Sequence, residues 1–221
     1  MVDKLYKFRP MLLIIIIPVL FSCASTQEEH VESRDAGFYN NRGIAKAEKG
    51  QYDQAILDYN KAIEIDPKYA EAYNNRGRVY RLKGQYDQAV LDYNKAIEID
   101  PGYAMAYNNR GWAYILKYNY NQAISDLNKA LEINPRFAWP YNNRGIAFEK
   151  IGRYDEAISD YNKAIEIDPK YVDAYYNRAT FYYVKREYDK AWDDIKMIQD
   201  LGYQVSPEFL EDLRKASGRE K

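Results

Sequence analysis

An all-α solenoid of stacked helix hairpins is the fold class this sequence predicts, and three observations predict it. The chain repeats itself every 34 residues, in units 36–69, 70–103, 104–137, 138–171 and 172–205 that run without a gap. Each unit holds two apolar stretches of helical period separated by a turn. The 24 Tyr among 221 residues are the compositional trace of one short unit copied many times. The first two units differ at nine places and agree at 25 of 34, so internal duplication accounts for them. Composition also restricts the chemistry. With 32 basic and 33 acidic residues there is no basic excess to favour nucleic acid, and one Cys and one His exclude disulfide frameworks and most His-based metal sites or triads.

The segment 1–22 reads as an export signal. Lys4, Lys7 and Arg9 form a basic start, and Met11 to Phe21 form an apolar run broken by Pro18. That run is too short for a spanning helix, which needs about 20 apolar residues. Leu20-Phe21-Ser22-Cys23 resembles the lipobox of bacterial lipoproteins, which implies that Cys23 becomes the lipidated first residue of the mature chain. Two acyl chains give stable anchoring where one is marginal. Ala24 in place of aspartate resembles the outer-membrane sorting pattern of a Gram-negative host. Residues 23–35 are polar, lack apolar periodicity and include the sole histidine, His30, so they are expected to form a flexible tether reaching at most about 40 Å.

The second unit shows how each repeat is expected to fold. Tyr73, Gly77 and Tyr80 share one helix, Gly84-Gln85 breaks it, Ala89, Tyr93 and Ala96 share the next, and Asp100-Pro101 stops that one. These residues at these spacings resemble the tetratricopeptide repeat, and the resemblance covers residues 36–205. It implies a right-handed α-solenoid of five hairpins in which Gly77, Ala89 and Ala96 allow close helix approach. Departures are local: Lys46 replaces an aromatic, Tyr118 replaces the turn glycine, and Ala179, Arg186 and Ile198 occupy small-residue places. Tyr203 stands where the closing proline would be. The segment 206–221 then opens with Ser206-Pro207 and carries Phe209, Leu210 and Leu213, as expected of a helix capping the last hairpin.

Every unit has an arginine between its first aromatic and first glycine, and an aspartate sixteen residues on. The pairs are Arg42 with Asp58, Arg76 with Asp92, Arg110 with Asp126, Arg144 with Asp160, and Arg178 with Asp194. A repeated counter-charge favours structural ion pairs over an arginine ladder that holds an anion.

By resemblance to the family, the second, fifth, sixth, ninth and twelfth residues of each unit line a concave groove. The sixth is Asn in all five units, Asn41, Asn75, Asn109, Asn143 and Asn177, and such amides can hold the backbone of an extended peptide. The variable places hold Arg78 and Arg81 in the second unit, Met105, Trp112 and Ile115 in the third, Trp139 and Ile146 in the fourth, and Tyr176 and Tyr183 in the fifth. Exposed Trp beside Arg is the composition of interface hot spots. The family's carboxylate clamp is not matched, because Asn stands where its first lysine would be.

The expectation is therefore a membrane-tethered lipoprotein of the bacterial cell envelope, lipid-anchored and facing the periplasm in a Gram-negative cell, that binds another protein or peptide as an adaptor. It would use no cofactor or metal, bind no nucleic acid and catalyse nothing. A self-associating structural repeat protein, forming homo-oligomers, is the first alternative. An envelope glycan hydrolase using Glu71, Glu149 and Asp173 is a weaker second.

Overall fold

The computed structural model describes residues 35–219. The export signal 1–22, Cys23 and the tether up to residue 34 lie outside the described residues. Eleven helices and no strand are found among the described residues: α1 (Ala36–Glu48), α2 (Tyr52–Ile65), α3 (Ala70–Leu82), α4 (Tyr86–Ile99), α5 (Ala104–Leu116), α6 (Tyr120–Ile133), α7 (Ala138–Lys150), α8 (Tyr154–Ile167), α9 (Val172–Val184), α10 (Tyr188–Asp200) and α11 (Pro207–Ser217). None of them is long and apolar enough to cross a membrane. Asp35, expected in the tether, instead caps α1, its carboxylate accepting from the Phe38 N–H at 2.7 Å.

Helices pair in sequence order as five antiparallel hairpins, α1 with α2 through α9 with α10. The turn within a hairpin needs one residue at positive φ, which Gly50, Gly84 and Gly152 supply at 72–80°. Tyr118 and Arg186 occupy the same place with φ of 60° and 61° despite their Cβ atoms. Between hairpins an Asx turn makes the corner: the side chains of Asp66, Asp100, Asn134 and Asp168 each accept from the backbone N–H two residues on, at 2.8–3.1 Å, and the following proline stops the helix.

Close packing inside each hairpin depends on a large residue filling the space over a missing Cβ. Tyr59, Tyr93, Leu127 and Tyr161 are fully buried, and a Cβ built on Gly43, Gly77, Gly111 or Gly145 would lie 2.6–2.8 Å from them. The fifth hairpin substitutes Ala179 and Ile195, both fully buried.

Successive first helices touch one another, α1 with α3, α3 with α5, α5 with α7 and α7 with α9, whereas successive second helices have no comparable contact. The array therefore bends toward its first helices, which line the concave side. At the far end α11 buries Leu213 and packs Phe209 and Leu210 over Ile195, Ile198 and Val205. Ile198, larger than the alanine of the other units, fills space that this cap encloses.

Candidate binding groove

The groove is built on a ladder of amides. Asn75 Nδ2 donates to Asn40 Oδ1 at 3.0 Å, and Asn109, Asn143 and Asn177 donate likewise to Asn74, Asn108 and Asn142 at 2.9 Å. The sixth residue of each hairpin thus grips the fifth residue of the hairpin before it. The rungs are possible because neighbouring first helices are nearly in register and 34 residues apart. They also correct the expectation that the sixth-place amides are wholly available to a ligand, since one N–H of each of these four is already engaged. The Oδ1 atoms of Asn143 and Asn177 accept nothing among the described residues. Asn41 has no rung and is exposed at the edge of the first hairpin.

The structure brings all five arginine–aspartate pairs together as bidentate bridges, Nε and Nη2 to the two carboxylate oxygens at 2.5–2.9 Å. From the second hairpin onward the same guanidinium also donates Nη1 to an asparagine of the preceding hairpin: Arg76 to Asn60, Arg110 to Asn94, Arg144 to Asn128 and Arg178 to Asn162, at 2.5–2.7 Å. Each of these arginines joins two hairpins and lies over its own tyrosine ring, 5.5–5.6 Å from the centroid. None of them borders the cavity described next.

A cavity of about 590 Å³ opens on the concave side between α3 and α9. Trp112, Trp139, Ile146 and Tyr176 supply its apolar wall, with Arg78 and Arg81 at the α3 end and Asp173 at the α9 end. Asn109, Asn143 and Asn177 line it, with Asn108 and Asn142, the rung partners of the latter two. Trp139 is 46% exposed and its ring meets Phe137 at a tilt of 45°, centroids 5.6 Å apart. Trp112 is half-buried, packed beside Ile146.

Five expected groove residues are placed elsewhere. Ile115 is a core residue, 7% exposed against Ala123, Leu127 and Ala147, because the twelfth position turns under the helix toward its own hairpin and the next. Long polar residues at that place escape: Arg81 reaches the cavity, and Glu149 accepts from Tyr161 Oη at 3.1 Å. Met105 is half-buried near the start of α5 and does not border the cavity, and neither Asn41 nor Asn75 reaches it. Tyr183, also read as a groove place, packs against Phe209 and Tyr188.

Tyr171 is the lining residue that the groove positions omitted. It closes the fourth unit just before α9, and Asn142 Nδ2 donates to its hydroxyl at 3.4 Å. The signal was an aromatic closing every one of the first four units, Tyr69, Tyr103, Phe137 and Tyr171. Burial and the nearby Asp173 carboxylate push its phenol above the ordinary value.

The core tyrosines reach the groove floor from below. Tyr59 lies against Arg78 and Tyr93 against Arg81, and burial pushes both phenols up to about 12 despite those cations.

Comparisons with known proteins agree with this geometry. One family profile described as "TPR repeat" matches residues 43–80 and 113–152; two described as "Tetratricopeptide repeat" match 70–103 and 138–171, and 92–125 and 160–193. Among curated proteins no sequence matches the chain. Solved structures similar to it include YrrB, titled a TPR protein with an unusual peptide-binding site (26% identity, 83% of this chain and 93% of that one, TM-score 0.59). MamA is similar at 28% identity over 80% and 97% of the two chains, TM-score 0.60. PilW, titled a widely conserved type IV pilus biogenesis factor, shares the fold at 21% identity over 83% and 86%, TM-score 0.76. Taken together, the profile matches run from residue 43 to 193, and with five hairpins joined by an amide ladder they show that this chain belongs to the tetratricopeptide repeat family.

Proposed function

We propose that this protein is a peptide-binding adaptor whose partner lies in the concave groove, held at a bacterial envelope membrane by lipid on Cys23. The observation that carries the reading is the cavity itself, where two indoles, two tyrosines and two guanidiniums border one space on the concave side of a repeat scaffold. That YrrB, 26% identical, carries a peptide-binding site by its own title supports the same use of the fold. Amide oxygens along the ladder can accept from a peptide backbone while the aromatic wall selects side chains. The membrane part rests on sequence alone, on the apolar run that ends at the chain's one cysteine.

Both ends of the array argue against end-to-end stacking of copies. Lys46 stands where later hairpins carry Tyr80, Tyr114, Phe148 and Tyr182, and it pairs with Asp58 at 2.8 Å. At the other end Lys196 replaces the asparagine that would receive the next arginine, and α11 covers the core.

Crosslinking capture from native envelopes with the full chain tests the adaptor, run beside a Trp112→Ala, Trp139→Ala variant of equal thermal stability. A partner caught by the parent and lost by the variant is the expected result. Equal capture by both places the site off the concave face and overturns the reading. For the anchor, Cys23→Ser is expected to abolish incorporation of labelled fatty acid, and persistent labelling would refute lipidation.

A further inference from the structure

Six of the ten guanidiniums in the described repeats are matched with carboxylates, Arg153 with Glu156 among them, and two of the unmatched ones, Arg136 and Arg186, are exposed to solvent. Arg42, Arg76, Arg110, Arg144 and Arg178 each chelate an aspartate. Arg78 and Arg81 do not: both are half-buried on α3, no carboxylate among the described residues stands within salt-bridge reach of either, and the Nε of each is buried with no acceptor among those residues. The Tyr59 and Tyr93 hydroxyls beneath them, buried and themselves without a hydrogen-bond partner among the described residues, belong to neutral phenols and supply no counter-charge. A partly desolvated cation without a counter-ion is costly, and two on adjacent turns of one helix face also repel each other. Duplication did not copy them. The same two places hold Ile44 and Ala47, Trp112 and Ile115, Ile146 and Glu149, and Thr180 and Tyr183 in the other units. They therefore serve no packing role that the repeat requires.

We infer that the groove recognises an extended peptide carrying acidic side chains within its length, that Arg78 and Arg81 hold those carboxylates, and that Trp112 and Trp139 receive an apolar or aromatic side chain beside them. This rests on the adaptor reading and names its partner's chemistry. Charge complementarity carries it: the two unmatched cations border the same cavity as the aromatic wall, and Asp173, the one carboxylate lining that cavity among the described residues, lies at the opposite end. The acidic part of the ligand accordingly lies over α3 and not over α9. An internal position follows because α1 extends the first-helix face beyond α3, so a chain seated on the arginine pair can continue past it. Two cations with an opposing carboxylate do not make the continuous basic track that a nucleic-acid strand needs.

A random twelve-residue library fused at its C-terminus to a display protein, panned on the full chain, tests this. Selected pools are expected to be rich in Asp and Glu with a neighbouring aromatic or large apolar residue. An Arg78→Gln, Arg81→Gln variant should lose that enrichment, with a synthetic selected peptide binding it about tenfold or more weakly, while Arg78→Lys, Arg81→Lys keeps part of the affinity. The loss should shrink as salt rises. Pools without acidic bias, or identical pools from parent and glutamine variant, overturn the acidic assignment and leave the adaptor reading standing. No pool at all, together with capture that survives loss of both tryptophans, overturns both. Binding that disappears when the synthetic peptide's C-terminus is amidated reassigns the carboxylate to a chain end. Displacement by a dT20 strand that is lost in the glutamine variant reassigns the site to nucleic acid. Either result refutes the internal acidic peptide.

Discussion

The first and second hairpins share 25 of 34 residues, yet the same ion pair behaves differently in each. In the first, the Arg42 side chain is 38% exposed and Lys46 adds a second cation to Asp58. Burial raises the Asp58 carboxyl, but hydrogen bonds from Arg42 and Lys46 more than offset it and hold the group below its ordinary value. In the second, Arg76 is 18% exposed and bonded to Asn60 of the preceding hairpin, and Tyr80 replaces the lysine. There burial outweighs the Arg76 bridge and Asp92 titrates above the ordinary value. Nothing in the pair itself differs. A preceding hairpin shields Arg76 and leaves Arg42 solvated, and Lys46 adds a cation at Asp58 where Tyr80 adds none at Asp92, so the electrostatics of the pair depend both on its position in the stack and on the residue beside it.

The largest expected effect breaks the two bridges one at a time. Asp92→Asn leaves Arg76 buried and unmatched and should cost about 3 kcal/mol, whereas Asp58→Asn should cost about 1 kcal/mol because Arg42 is solvated. Urea denaturation of each variant measures this, and equal losses would show that position in the stack does not matter. The contrast sharpens with a change that ought to ignore position. Gly43→Ala and Gly77→Ala push a Cβ to 2.6 and 2.8 Å from the Tyr59 and Tyr93 rings, contacts inside one hairpin, so each should lose about 2 kcal/mol. A large difference between the two would mean that the neighbouring hairpin also sets core tolerance.

A smaller effect, of opposite sign, is expected at the third turn. Tyr118 sits at φ 60° and is 79% exposed, so Tyr118→Gly should remove left-handed strain and stabilise by about 1 kcal/mol, read as a higher Tm. An unchanged or lower Tm would show that the Tyr118–Tyr120 edge contact offsets the strain.

The smallest effect is in pH. Burial raises Asp92, Asp160 and Asp194 against their arginine bridges. Their titration contributes stability that is fully present below the ordinary carboxylate value of about 4 and lost as pH rises through the raised folded values. Asp58 has the reverse sign, its contribution present above about pH 4 and lost as pH falls through its lowered folded value. Hydrogen-exchange protection factors should therefore rise in α4, α8 and α10 relative to α2 between pH 6 and pH 4, with α2 losing further below that. Parallel changes in all four helices would erase the distinction.

Much of the fold was legible because the repeat obeys local rules. Glycine at a left-handed turn, Asx-Pro at each corner, and small residues twelve and seven apart carry their structural consequence within a dozen residues. The arginine–aspartate spacing was equally readable, since one pair written five times names its own partners. The asparagine ladder was not: Asn75 and Asn40 are 35 residues apart, and whether an amide faces a ligand or its neighbour depends on how two hairpins dock. Ile115 misled for the same reason, as the twelfth place is groove or core according to whether its side chain is long enough to escape.

By itself, then, the amino-acid sequence determined the repeat, the helix boundaries, the close-packed hairpin core and the ion pairs, because all of these are contacts within one duplicated unit. Only the tertiary structure decided which residues meet across units: the amide rungs, the third hydrogen bond of each inner arginine, the split between Asp58 and Asp92, and the cavity that unites Arg78 and Arg81 with Trp112 and Trp139. The physical reason is that burial and facing are properties of the stack. Copying a unit leaves its internal distances unchanged, while each place in the array sees a different neighbour.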